Sequence, residues 1–225
     1  MDSTTLSSLY RLEPAPRVRR FHASIDPAAG VVVVRVPKAA AQEEIDAYLA
    51  RHADWARAAL NRLPRAVPFA SGAILPLFGV THRVAVVGDD NGGGGMPVLV
   101  AAAGDAVSVR EAVERHAQEW FAAEVARMAA VLGCTPGPVV VADMTEAWGT
   151  CHRDGTITLS WRLAFARRPA VAGYIVAHEV AHLVAFNHDG AFWATCGTIT
   201  PMPACDAIKW LKRFGSELRR YGAPR

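Results

Sequence analysis

Cysteine is scarce in this chain and badly placed for either of its usual structural jobs. Four cysteines stand at 134, 151, 196 and 205 of 225 residues, and no two form a Cys-x-x-Cys pair. That excludes a dense disulfide framework and a zinc knuckle, and predicts reduced thiols in a cytoplasmic protein. Long apolar runs are absent too: no stretch approaches 18 consecutive apolar residues, so no membrane span is expected. The opening "MDSTTLSSLYRLEPAPRVRR" has no apolar core of the kind a signal peptide carries. An excess of charge of one sign is nearly lacking, because the net charge is only +3, which permits an acidic or nucleic-acid partner without calling for one. What is present is a 52% hydrophobic, 20% charged composition, that of a folded globular protein. The length suffices for one large domain or two small ones with a buried core.

Along the chain, residues 1–16 are polar and contain proline, and read as a flexible N-terminal arm. "RVRRFHASIDPAAGVVVVRVPK" predicts two strands joined by a Pro-Ala-Ala-Gly turn. From Ala41 to Leu63 the pattern is helical, with Ile45, Leu49, Trp55, Ala59 and Leu63 near one stripe. Strand character returns in "GAILPLFGVTHRVAVV", "GDDNGGGGM" reads as an exposed hairpin loop, and "PVLVAAAGDAVSV" suggests two further short strands. Residues 17–108 therefore form a β-rich sub-domain. A long helix from Val109 to Leu132 opens a second sub-domain, residues 109–225. There "PVVVAD" looks like a buried strand, and "EAWGTC" and "TITLSW" flank a hairpin turn at Asp154-Gly155. Ile157, Leu159 and Trp161 alternate with Thr156, Thr158 and Ser160, which predicts one buried and one wet face. Pro169 suits the first turn of the next helix, and an amphipathic helix from about Pro203 to Leu218 ends the chain.

That middle helix contains "VAHEVAHLVAFNH", residues 176–188, where a glutamate and three histidines interrupt an apolar pattern. His178-Glu179-x-x-His182 is the His-Glu-x-x-His pattern of zinc hydrolases. Residues four apart on a helix differ by about 40° in azimuth, so both imidazoles can reach one ion at Zn–N distances of about 2.0–2.1 Å. Glu179 lies about 100° from His178 and about 60° from His182, which directs its carboxylate to water on the metal rather than to the metal. Zinc lowers the pKa of that water towards about 7, and a nearby carboxylate takes its proton and returns it to the leaving amine. A catalytic zinc needs a third protein ligand, and His188 is the natural one. On a continuous helix it would be turned by about 240° from His182, so the helix must break, with Asn187 as a left-handed stop and Asp189-Gly190 continuing the irregular segment. The competing explanation is a set of boundary histidines beside a surface glutamate, and the third histidine just after a plausible helix stop favours the metal over it.

The chain resembles the YgjP-like family of metal-dependent hydrolases, itself distantly similar to SprT-like zinc proteases. The resemblance runs from about Arg17 to the last helix and rests on "AWGTC", "GTITLSWRL", "YIVAHEVAHLVAFNHDGAFW" and "ITP", with weaker echoes in "SIDPAAGVVVVRVP" and "SGAILPLFG". It implies an α+β fold: a zincin-like catalytic half, its His-Glu-x-x-His helix packed on a small mixed sheet, preceded by a mostly β N-terminal half with one helix. It also implies His178, His182 and His188 as ligands of one Zn2+ per chain, and Glu179 as catalytic base. Two positions depart from the family pattern. Glu146-Ala147 stand where the family usually has a basic residue or two, and Ser160 stands where it tends to have Asn. The histidine spacing also matches metzincins, but Ala185 replaces their Gly and no clear Met-turn follows.

Arg162, Tyr174 and His152 are candidates for stabilising a transition state or contacting substrate. "TITLSW" is a candidate edge strand for binding an extended peptide. Phe192 and Trp193 read as core residues that hold His188 without touching substrate. Cys151 and His152, adjacent on a strand, point to opposite faces and so make no nucleophile–base pair; all four cysteines read as buried structural thiols. Arg17, Arg19 and Arg20, with Lys212, Arg213, Arg219 and Arg220, are a candidate nucleic-acid contact. The sequence thus predicts a cytoplasmic zinc metallopeptidase acting on peptide or protein substrates, with no membrane partner and no cofactor besides the metal. Two alternatives remain at this stage: a zinc-stabilised DNA- or protein-binding module, and a zinc hydrolase of non-peptide amides.

Overall fold

The computed structural model describes residues 9–26, 29–62, 66–88 and 95–222. Contacts divide the chain into one unit of residues 1–67 with 222–225, and a second of residues 68–221. The fold is mixed α+β in both.

In the first unit, β1 (Tyr10–Ala15), β2 (His22–Asp26) and β3 (Val31–Pro37) form a sheet in the order β1-β3-β2, followed by helix α1 (Gln42–Asn61). The valine run of β3 favours a pleated, packed strand, and Val32, Val34 and Val36 turn one face inward against Ala56 of α1. Residues 10–15, assigned to the flexible arm by composition, are instead a strand parallel to β3. Tyr10 explains the difference: it is buried in this small core and donates its hydroxyl hydrogen to Leu49 O at 3.1 Å. Helix α1 packs through Ile45, Tyr48, Leu49, Ala56 and Leu60. Trp55, expected on that stripe, is 46% exposed because it falls one position out of phase with Ala56. The rest of the arm (residues 1–8), Pro27-Ala28 of the predicted turn, Leu63 and most of the glycine-rich loop lie outside the described residues.

The second unit holds two further three-stranded sheets. The first, in the order β4-β5-β6, contains β4 (Ile74–Leu77), β5 (Val80–Val86) and β6 (Val98–Ala101). Only one strand forms in "PVLVAAAGDAVSV", because Asp105 caps helix α2 (Ala106–Leu132), its Oδ1 accepting from Val107 N at 2.9 Å and Ser108 N at 3.0 Å. The second sheet, in the order β7-β9-β8, contains β7 (Val139–Ala142), β8 (Gly149–Cys151) and β9 (Ile157–Ser160). β9 is therefore the central strand, paired with β7 on one side and β8 on the other, and not the edge that "TITLSW" suggested. β7 is an edge strand, and Val140 on it is 42% exposed rather than buried. Ser160 also departs from the expected wet face: it is fully buried where the chain enters a 3-10 helix (Trp161–Phe165).

Helices α3 (Pro169–Ala181), α4 (Gly190–Ile199) and α5 (Ala204–Leu218) complete the unit. Helix α3 is covered on every side, with ten of its thirteen residues buried, and packs against α2, α4, α5, β8, β9 and the 3-10 helix. A helix that is apolar all round belongs in such a position. Among the described residues, no helix is long and apolar enough to cross a membrane.

Arg162 ties the 3-10 helix to the end of the unit. Its Nε and one Nη donate to Asp143 at 2.7 and 2.8 Å, and the other Nη donates to the carbonyls of Arg219 and Tyr221 at 3.1 and 3.2 Å. The guanidinium also lies over the Trp161 ring at 4.3 Å. Removing Asp143 would strand a buried charge, so Asp143→Ala should cost about 3 kcal/mol or more in urea unfolding. Pairing it with Arg162→Met should recover part of that loss, since the stranded charge is gone.

Candidate metal centre

Pro169 at the first turn starts α3, as its fixed φ and missing N–H favour. The opposite end stops early. His182 is the last residue before the turn, and Leu183 N and Val184 N bond back three residues, to Val180 O and Ala181 O, at 3.0 and 3.1 Å. This tightened last turn ends the helix five residues before the predicted stop, and Asn187 is not left-handed: Phe78 is the one non-glycine with positive φ among the described residues. The chain then loops through residues 183–189 until Asp189 caps α4, accepting from Ala191 N at 3.0 Å and Phe192 N at 3.1 Å.

The loop carries His188 back over the helix. Its Nε2 lies 2.9 Å from Nε2 of His178, and one ligand nitrogen from each of His178, His182 and His188 lies within 4.8 Å of the other two. Fully buried Phe192 supports all three rings from one side, with centroid separations of 4.9, 4.5 and 4.6 Å. Nδ1 of His182 lies 3.3 Å from the Ala185 carbonyl, a contact that favours the proton on Nδ1 and leaves Nε2 free to donate its lone pair. Nδ1 of His178 is buried with no hydrogen-bond partner. Burial, reinforced by the other two imidazoles, pushes the His178 pKa down to about 4, and burial with His188 also lowers that of His182. Neutral imidazole is the form that binds a metal, so the donor set fits an ion that accepts nitrogen ligands.

Glu179 sits beside this cluster, 6% exposed. Burial drives its pKa up to about 7, against a smaller opposing effect from the Cys151 backbone N–H. It reaches this position by close approach to β8. A Cβ on Gly149 would fall 2.8 Å from Glu179 Cγ and Oε1 and 3.0 Å from Ile175 Cγ2, so only glycine fits there. Before the carboxylate and two of the histidines opens a cavity of about 600 Å3. Trp148, Ile175, Trp193, Ile208 and Leu211 make it largely apolar, and Tyr174 and Lys212 also line it.

Of the three candidate transition-state contacts, Tyr174 alone lines this cavity. Arg162 is buried in its pairing with Asp143, and His152 is exposed in the β8–β9 hairpin, so the fold brings neither to the cavity. Trp193 is not the core residue expected; at 43% exposure it forms part of the wall. Cys151 is half-buried, and its thiol is pushed up to about 11, by burial first and the charge of Glu179 second, so it is no nucleophile. All four cysteines are free, and Cys205 is exposed rather than buried. Gly149, Trp148 and the α5 residues Ile208 and Leu211 escaped the sequence reading, and Lys212, read as a candidate nucleic-acid contact, lines this cavity instead. Trp148-Gly149 carried a usable signal in "AWGTC", whereas the α5 residues look like any amphipathic helix.

A family model, described as YgjP-like, metallopeptidase domain, matches residues 19–214. The chain belongs to this YgjP-like family. It is thus a metal-dependent peptidase, a hydrolase with peptide or protein substrates. The crystal structure of the metallopeptidase zymogen abylysin of Pyrococcus abyssi is similar at 23% identity, covering 45% of this chain and 97% of that one, with a TM-score of 0.36. The curated proteins include no match to the chain.

The raised pKa of Glu179 has a measurable consequence for the metal-free chain. A carboxyl whose pKa rises from 4.5 to about 7 on folding stabilises fully below pH 4.5, and that contribution is lost as pH climbs through 7. The histidines act in the opposite sense, but equally in wild type and Glu179→Gln. Urea unfolding of metal-stripped protein should therefore show wild type losing stability relative to Glu179→Gln between pH 4.5 and 7, by up to about 3 kcal/mol.

Proposed function

We propose that the chain is a zinc peptidase in which His178, His182 and His188 hold the ion and Glu179 is the general base. The observation that supports this most directly is the convergence of three imidazoles beside a buried carboxylate at the mouth of an apolar cavity. A zinc ion held there supplies Lewis acidity and lowers the pKa of water to near neutrality.

The remaining work falls to the protein. An Oε atom of Glu179 takes a proton from the attacking water and passes it to the departing amine nitrogen. A carboxyl with a pKa near 7 is well matched to both transfers, since it holds and releases a proton at the working pH. Tyr174, one turn before His178, lines the cavity, and in this reading its hydroxyl donates to the carbonyl oxygen as negative charge develops on it. Phe192 and the apolar wall limit water around His178 and Glu179, which strengthens each of these electrostatic interactions. The His182 contact with Ala185 O fixes one ring in its ligand tautomer.

Glu179→Gln should retain about one zinc per chain while peptide-library cleavage falls by roughly 10²- to 10⁴-fold, the usual worth of a positioned base. His188→Ala should lose the metal and the activity together. Metal analysis of the purified proteins, run beside the cleavage assay, separates the two outcomes, and equal cleavage by wild type and Glu179→Gln would sink the assignment of the base.

A further inference from the structure

A second cavity, of about 660 Å3, opens in the same unit against the C-terminal half of α5. Arg167, Arg168, Arg213 and Arg220 line it, against the single carboxylate of Glu217. Among the described residues, none of the four arginines has a carboxylate within ion-pair distance. Three of them are exposed. The fourth, Arg220, has its Nε buried with no hydrogen-bond partner. In a chain of net charge +3, this is a marked local concentration of positive charge.

Aromatic rings are interleaved with these cations. Trp210 and Phe214, both half-buried on the cavity wall, lie one helical turn apart with centroids 5.3 Å from each other. The Arg213 guanidinium stands over Phe214 at 5.0 Å, and that of Arg220 over Tyr221 at 5.1 Å. None of these residues lines the cavity beside Glu179.

We infer that this cavity binds a single strand of nucleic acid. Guanidinium forks match phosphate oxygens, and those with no carboxylate partner break no ion pair on binding. Partly exposed rings set among cations give successive bases a stacking surface. An acidic peptide would answer the charge but has no flat rings for the aromatic wall. A duplex would present phosphates but keeps its base faces stacked on one another. The volume exceeds what a lone phosphate fills and lies within the range of pockets for ring-bearing ligands.

The test is fluorescence anisotropy of the full chain with a labelled oligo-dT strand across a salt series. The logarithm of affinity should fall linearly with the logarithm of salt concentration, and Arg213→Ala or Arg167→Ala should each reduce the slope by about 0.7. Trp210→Ala should weaken binding about tenfold at every salt concentration and leave the slope unchanged. Circular dichroism checks that this variant folds; the exposed arginines carry the test if it does not. Unlabelled single strand should compete, while duplex of equal length, an acidic peptide and inorganic phosphate should compete poorly. Arginine variants that bind with wild-type affinity and slope overturn the proposal, as does equal competition by duplex, peptide or phosphate. Strand binding is read without peptide cleavage, so its failure and a failure of the zinc-peptidase assignment are separate results.

Discussion

The constraint from which the rest follows is the burial of ionisable groups in a helix covered on all sides. Helix α3 is apolar around its whole circumference, yet it carries His178 and Glu179 in its last turn. Charge in such surroundings is expensive, so the groups resolve towards neutral forms: the imidazole pKa falls and the carboxyl pKa rises. Those are the forms in which an imidazole offers a lone pair and a carboxyl can exchange a proton near neutral pH. A cover on all sides also demands close neighbours, which is why β8 brings glycine to Glu179 and Phe192 lies against the three rings.

The histidine pair and its glutamate were legible because helical periodicity alone puts the two histidines on one face. His188 was legible only as a condition, that the helix must stop. The stop occurs, but at His182 and through a tightened turn, where side-chain propensities give no warning; the asparagine that looked suited to it takes no part. Chemistry was easier to read than partnership. Arg162 has the right charge for a catalytic contact, but Asp143, nineteen positions away, claims it. Sheet position was least legible of all. Alternation in "TITLSW" describes one strand, and whether it is central depends on β7 and β8 flanking it.

Helix α5 shows how a single amphipathic element can serve two surfaces. One face supplies Ile208, Leu211 and Lys212 to the apolar cavity, and the opposite face supplies Trp210, Arg213 and Phe214 to the cationic one. Composition averages these into an unremarkable helix. Their separation around the axis is what makes them distinct, since successive residues turn by about 100° and so face different neighbours.

The hairpin between β4 and β5 turns on Phe78 and Gly79, both with positive φ, and a Cβ on Gly79 would come 2.9 Å from Cγ of Pro169. The tip of that hairpin is thus an abutment for the first residue of α3. A helix transmits displacement along its axis at about 1.5 Å per residue of slip, whereas ligand bonds to a metal tolerate only about 0.2 Å. A turn that meets α3 at Pro169, nine residues ahead of His178, and is made by a strand pair with no ligand of its own, therefore acts as the end-stop against which the reach of the imidazoles is gauged.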